Sequence, residues 1–171
     1  MRKFDIRVLA PRDLEIYKMI RLASLEDSPD SFGSTYEREV SFTDSEWLAR
    51  LTPSSAGMVS LLLVAEINGK AVGLASGLIR DSDPEVACIY QMWVSTVARG
   101  HGIATALLKE IEAWAIEKEC TSMALSVTTT NDAAIGLYLS YGFTPAGDLE
   151  ELRAGSGLFA QPMIMGLRHA A

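Results

Sequence analysis

The stretch Gln91-Met92-Trp93-Val94-Ser95-Thr96-Val97-Ala98-Arg99-Gly100-His101-Gly102-Ile103-Ala104 constrains this chain most. An apolar strand runs into a short loop, and a Gly-rich turn opens directly into a helix. Free N–H groups at a helix start carry partial positive charge, and glycines let an anion approach them closely. The helix keeps Ile103, Leu107, Leu108, Ile111 and Trp114 at helical spacing. A phosphate-bearing ligand suits such a turn, and the rest of the chain decides which one.

The elements before the turn read as an antiparallel meander. Phe4 to Val8 alternates as a first strand, and Pro11 and Asp13 open a helix on which Leu14, Tyr17, Ile20 and Leu22 share a face. Ser28 to Ser34 is rich in turn residues, and Thr43 with Glu46 has capping-box spacing at a second helix start. Val59 to Ile67 and Ala71 to Ile79 flank Asn68-Gly69-Lys70, the strongest short-range hairpin signal. Asp81 to Pro84 turns the chain into a fourth strand, Val86 to Val94. After the glycine turn and its helix come a fifth strand (Ser122 to Val127), a short helix from Asp132 to Tyr141 closed by Gly142, a strand from Phe143, and a last one from Gln161 to Leu167. No repeat, low-complexity tract or linker divides these elements, so one α/β domain over residues 1–171 is expected.

Bulk properties exclude several classes. A chain of 171 residues with 49% hydrophobic content has the size and composition of one globular unit. Its net charge of −7 argues against nucleic acid as a partner. No apolar run approaches the ~20 residues that span a bilayer, so no membrane partner is expected. The start Met1-Arg2-Lys3-Phe4-Asp5 has no apolar leader. Cys88 and Cys120 form neither a disulfide framework nor a metal-like spacing, and the two histidines have no partner cluster. A cytoplasmic protein without a metal is the expectation.

Two phosphate motifs fail at the turn. A dinucleotide fingerprint needs a third glycine where Thr105 stands, and a nucleotide-hydrolase loop needs a Gly-Lys-Ser/Thr triplet that the chain lacks. A third fits. Arg99-Gly100-His101-Gly102-Ile103-Ala104 resembles the Arg/Gln-x-x-Gly-x-Gly/Ala turn of the GNAT superfamily of N-acetyltransferases, and Ala106-Leu107-Leu108 resembles the start of that family's central helix. The segment Asn131-Asp132-Ala133-Ala134-Ile135-Gly136-Leu137-Tyr138-Leu139-Ser140-Tyr141-Gly142-Phe143 resembles the family's Asn-x-x-Ala…Leu-Tyr-x-x-x-Gly-Phe block. One helix and one strand fit between the two motifs, as the family's fold requires. The resemblance implies an α/β (α+β) fold with a mixed central sheet of about six to seven strands flanked by helices, splayed between the fourth and fifth strands.

The resemblance also implies acetyl-CoA as co-substrate, its pyrophosphate seated on Arg99, Gly100, His101, Gly102, Ile103, Ala104 and Thr105. Backbone N–H groups and the helix dipole would hold the anion, with Arg99 adding a charge-assisted contact. Met92, Trp93 and Val94 would serve through their main chain, bonding the amides of the pantetheine arm in the splay. Asn131 would bond that arm while capping its helix. Tyr138 stands where the family places the general acid that protonates the departing thiolate. At Cys88, six residues before Val94, some family members carry a carboxylate base. Glu85, Tyr90, Tyr36 or a water relay remain open as substitutes, and an acetyl-Cys88 route lacks an activating histidine in sequence.

Phe32, Tyr36, Glu85 and Tyr90 are the candidate acceptor-site residues. The expected activity is direct transfer from acetyl-CoA to a primary amine, on a small molecule or a peptide. A non-catalytic acyl-CoA-binding regulatory module and a protein N-terminal acetyltransferase are the alternatives, and a homodimer through an exposed sheet edge is compatible with the resemblance.

Overall fold

The structure, a computed structural model, describes residues 3–55 and 58–168. Met1, Arg2 and His169 lie outside the described residues. The strands are β1 (Asp5–Val8), β2 (Ser54–Ser55), β3 (Met58–Ile67), β4 (Lys70–Arg80), β5 (Asp83–Val94), β6 (Ser122–Thr128), β7 (Thr144–Pro145), β8 (Glu150–Glu151) and β9 (Phe159–Gly166). The α-helices are α1 (Leu14–Asp27), α2 (Tyr36–Val40), α3 (Asp44–Leu51), α4 (Ile103–Glu117) and α5 (Asp132–Tyr141). All strands join one sheet in the order β1-β3-β4-β5-β6-β9-β7, with β2 on β3 and β8 on β9. The sheet is mixed and flanked by helices, as the sequence predicts.

Local chemistry places the turns. Asn68 and Gly69 both have positive φ, 51° and 76°, and let Ile67 pair directly with Lys70. That backbone matches the twist of the flanking strands. The capping box at α3 forms from both sides: the Thr43 hydroxyl accepts from the Glu46 N–H, and the Glu46 carboxylate accepts from the Thr43 N–H. The structure departs from the sequence reading in several places, among them the two-residue strands β2 and β8, which that reading does not contain. The β4–β5 turn is only Asp81-Ser82, because Asp83 already pairs with Arg80. The five residues of α2 are helical, although too few for a periodic signal.

The sheet buries both faces. In β3, Leu61, Leu63 and Ala65 pack toward α4, while Leu62 and Val64 pack toward α1 and α3, the alternation a strand imposes. On the first face α4 contributes Leu107, Leu108 and Ile111, all fully buried. Each such side chain contributes roughly 1.5–3 kcal/mol of burial energy. Gly77 lets α4 come close, since a Cβ there would stand 2.8 Å from the Trp114 ring. On the second face Trp47 meets Tyr17 and Phe42 edge to face, and Trp93 joins them in the same core. No helix among the described residues is long and apolar enough to cross a membrane.

A buried ion cluster fastens α1 to α2 and α3. Arg21 donates through Nε and Nη2 to the two oxygens of Glu39, and Arg50 donates from Nη1 to the same carboxylate. Burial alone works to raise the Glu39 pKa, but the Arg21 hydrogen bonds and the charges of Arg21 and Arg50 prevail and hold it below the usual carboxylate value. Stability from this group is therefore present above its unfolded pKa and is lost as pH falls through the folded one. Glu39→Gln should cost about 3–5 kcal/mol in chemical denaturation at pH 7, since it leaves two guanidinium groups without their anion. It should also shrink the loss of stability on acidification. A cost under about 1 kcal/mol would contradict this role.

Candidate functional site

The sheet opens at the parallel junction of β5 with β6. β5 and β6 pair only from Val86 to Cys88 against Ser122 to Ala124, and no ladder continues beyond. The cause lies in β5. Between Leu74↔Trp93 and Ser76↔Tyr90 the register shifts, so Gln91 and Met92 oppose the single residue Ala75. Gln91 has a φ of 57°, a conformation a β strand does not continue through, and the strand bends there. The Tyr17 hydroxyl donates to Gln91 Oε1 at 2.8 Å and fixes the bulge from α1. This is the splay that the sequence resemblance implies.

A cavity of about 950 Å³ occupies the opening. Met92, Asn131 and Tyr138 line it among the expected cofactor residues, and Phe32 and Tyr90 among the expected acceptor residues. Cys88 lines it as well. Tyr36 packs instead against the α1–α3 core, and Glu85 is exposed outside the cavity. Trp93 is a core residue whose indole Nε1 donates to Asp27 at 3.0 Å. The Val94 carbonyl accepts from Arg99 Nε at 2.9 Å.

Tyr138 is 6% exposed, its ring edge-on to Phe143. No group among the described residues hydrogen-bonds its hydroxyl. Burial pushes its pKa up to about 12, so it holds its proton across the neutral range. Asn131 caps α5, its Oδ1 accepting from the Ala134 N–H at 3.2 Å, and its Nδ2 donates to Ser31 Oγ at 3.4 Å. The cap and the cavity wall are thus one residue.

The glycine turn lies beside a second depression of about 590 Å³, bordered by His101, Gly102, Thr105 and Lys109. Gly100 and Gly102 take φ of 80° and 81°, and a Cβ on either would meet no atom within 4 Å. Their requirement is thus conformational, and the approach to the backbone is open. No side chain caps α4 at Gly102, and the first intrahelical bond is donated by Ala106. The N–H groups of Ile103, Ala104 and Thr105 therefore remain for an anion. Ile103 itself is core. His101 is exposed, its Nδ1 3.1 Å from the Ala98 carbonyl. Among the described residues no group of three or more His, Cys, Asp or Glu is placed to hold a metal ion.

Asp27, which sequence reasoning missed, organises this end of the site. Its carboxylate accepts from Ser28 Oγ, Trp93 Nε1, Thr96 Oγ1 and Arg99 Nη2. These bonds, that of Ser28 foremost, hold its pKa below the ordinary value. Arg99, with 51% of its side chain exposed, is therefore a brace between α1, β5 and the turn. No local sequence signal joins Asp27 to a residue seventy positions away.

Residues 19–143 match the family described as the acetyltransferase (GNAT) family, and the chain belongs to it. Solved structures share the fold. The acetyltransferase of the GNAT family from Streptococcus pneumoniae is 23% identical, with 96% of this chain and 99% of that one covered and a TM-score of 0.79. The PaiA N-acetyltransferase from Thermoplasma acidophilum, solved in complex with coenzyme A, is 19% identical over 96% and 99%, with a TM-score of 0.74. The ribosomal-protein-S18-alanine N-acetyltransferase from Escherichia coli is 17% identical over 98% and 96%, with a TM-score of 0.69.

Gly102→Ala tests the turn by itself. The left-handed backbone should cost it about 1–2 kcal/mol in denaturant unfolding. Unchanged stability would mean that the turn relaxes to another conformation.

Proposed function

We propose that this protein transfers an acetyl group from acetyl-CoA to a primary amine by direct attack in a ternary complex. The observation that carries the reading is Tyr138: a protonated phenol whose hydroxyl has no hydrogen-bond partner among the described residues, in the wall of the cavity that the splay opens. Bound acetyl-CoA supplies an acyl thioester, an electrophilic carbon carrying a thiolate leaving group.

The chain's own groups suit that ligand. The main-chain N–H groups of Ile103, Ala104 and Thr105 offer a seat for the pyrophosphate, with Gly100 and Gly102 leaving the approach clear. The edge of β5 from Ile89 to Val94, unpaired toward β6, offers main-chain donors and acceptors to the amides of the pantetheine arm. Asn131 offers a side-chain amide from the other wall. Arg99 supports the seat by holding the Val94 carbonyl and Asp27, a bracing part in place of a direct phosphate contact.

In the transfer the amine nitrogen bonds the acyl carbon as the C–S bond breaks. Tyr138 gives its proton to the departing sulfur and recovers one from solvent or from the amine. Burial serves this acid in two ways: it keeps the proton on at neutral pH, and it excludes water that would compete for the thioester. Of Glu85, Tyr36 and Tyr90, the last alone lines the cavity, its hydroxyl accepting from Arg80 Nη2 at 3.0 Å.

Tyr138→Phe should keep acetyl-CoA binding within twofold and lower kcat for amine acetylation by roughly 10²-fold or more. Wild-type turnover in that variant would remove Tyr138 from the chemistry. Acetyl-CoA binding without thiol release across a broad amine panel would mark a binding module instead, and acetylation confined to peptide N-termini would point to a protein acetyltransferase.

A further inference from the structure

Three arginines stand in the wall of the cavity on the side of α1, α3 and β4: Arg21, Arg50 and Arg80. One carboxylate, Glu39, is shared between the first two. Arg21, stacked on the Phe32 ring, is spent on it except for Nη1, which is enclosed and has no hydrogen-bond partner among the described residues, as is Ser34 Oγ nearby in the wall. Ser34 is close enough to Glu39 to help keep that carboxylate charged, yet it makes no hydrogen bond of good geometry. Arg50 uses only Nη1, toward Glu39 and the Tyr17 hydroxyl. Among the described residues its Nε and Nη2 have no hydrogen-bond acceptor, and 31% of its side chain is exposed. Arg80 bonds Cys88 Sγ and the Tyr90 hydroxyl, and neither partner is a carboxylate.

The wall thus holds more guanidinium than carboxylate, in a chain whose net charge is −7. Guanidinium groups offer five donors in a planar fork, and carboxylates match that fork. Across the opening the charge reverses. The remaining charged residues of the cavity are Glu150 and Glu151 on β8, which belongs to the β6–β9 side of the splay. Glu151 accepts from the Gly155 N–H, while the Glu150 side chain makes no hydrogen bond among the described residues. A cavity with a cationic wall and an anionic wall complements a ligand that carries both charges.

We infer that the arginine wall is an anion subsite for the acetyl acceptor, and that the acceptor is a small amine bearing a carboxylate, as an α-amino acid does. The inference rests on the acetyl-transfer reading above and names its substrate class. The Nε–Nη2 edge of Arg50, whose guanidinium rests on the Phe42 and Trp47 rings, and the Arg80 guanidinium take the carboxylate, with Arg21 adding positive potential behind them. Glu150 and Glu151 draw in the ammonium end. Glu39 positions Arg50 and does not touch the acceptor.

The test pairs amino acids with their decarboxylated amines: leucine, methionine, phenylalanine and glutamate, each against the matching amine. Acetylation is followed by thiol release, and binding in the presence of CoA by calorimetry. At least one amino acid should exceed its amine tenfold or more in kcat/KM. Arg80→Gln and Arg50→Gln should each lower that ratio at least fivefold, mainly through KM, and Arg50→Lys should restore part of it. Thermal melting checks the fold of each variant; if Arg50→Gln unfolds through its contact with Glu39, Arg80→Gln decides.

Amines acetylated as well as their amino acids, or variants that leave the ratio intact, would overturn the subsite while leaving the transferase reading standing. Amino acids that bind in an arginine-dependent way without turnover would support the subsite and overturn the transferase reading. Absence of both binding and turnover across every pair overturns the two together.

Discussion

The site depends on a ladder that stops. After Cys88 the parallel strands β5 and β6 no longer share hydrogen bonds, and everything that suits this molecule to hold a long, amide-bearing ligand follows from that separation. Backbone donors and acceptors left unpaired inside a protein are costly unless water or a ligand satisfies them. The opening persists because the bulge at Gln91 is held independently. Tyr17, fully buried in the α1–α3 core, donates its hydroxyl to the Gln91 side chain and ties the bend in β5 to a rigid helix. Core packing on one face of the sheet thereby sets the geometry of a cleft between two of its strands.

The same economy of contacts recurs at the glycine turn and at the arginine side of the cavity. At the glycine turn, Asp27 gathers Trp93, Thr96 and Arg99, so the end of α1 braces the strand and the turn together. At the arginine side, Glu39 gathers Arg21 and Arg50 and fixes the short helices that close the cavity. Loop contacts add to this closure: Arg153 Nη1 donates to the carbonyls of Phe32 and Pro29, and Thr128 Oγ1 donates to the carbonyl of Asp30. A single helix, α1, thus supplies the bulge's anchor, the turn's brace and one arm of the arginine wall. Changes in α1 should be felt across the whole site.

Much of this was legible in the sequence wherever the signal is local. The Asn68-Gly69 hairpin, the Thr43 capping box, the α4 start and the bounds of α5 rest on backbone preferences and short-range hydrogen bonds, and these carry their own residue signatures. The two motifs around Gly100 and Tyr138 carried the family. The bulge at Gln91 was not legible, because a glutamine with positive φ looks like any other strand residue until its long-range partner Tyr17 is known. Asp27, Arg50 and Arg80 were missed for the same reason: their roles come from residues distant in the chain and close only in the fold. Tyr36 shows the converse, an aromatic ring offered as an acceptor-site candidate that lies half-buried against the α1–α3 core and outside the cavity lining.

Hydrogen–deuterium exchange with and without saturating acetyl-CoA tests the central claim, that the interrupted ladder and the glycine turn form one cofactor cleft. Peptides covering Ile89 to Val94 and Gly102 to Thr105 should exchange together several-fold more slowly in the complex, while the hairpin around Asn68 and Gly69 stays unchanged. Protection that leaves both of these segments unaltered, or that appears in only one of them, would contradict the account.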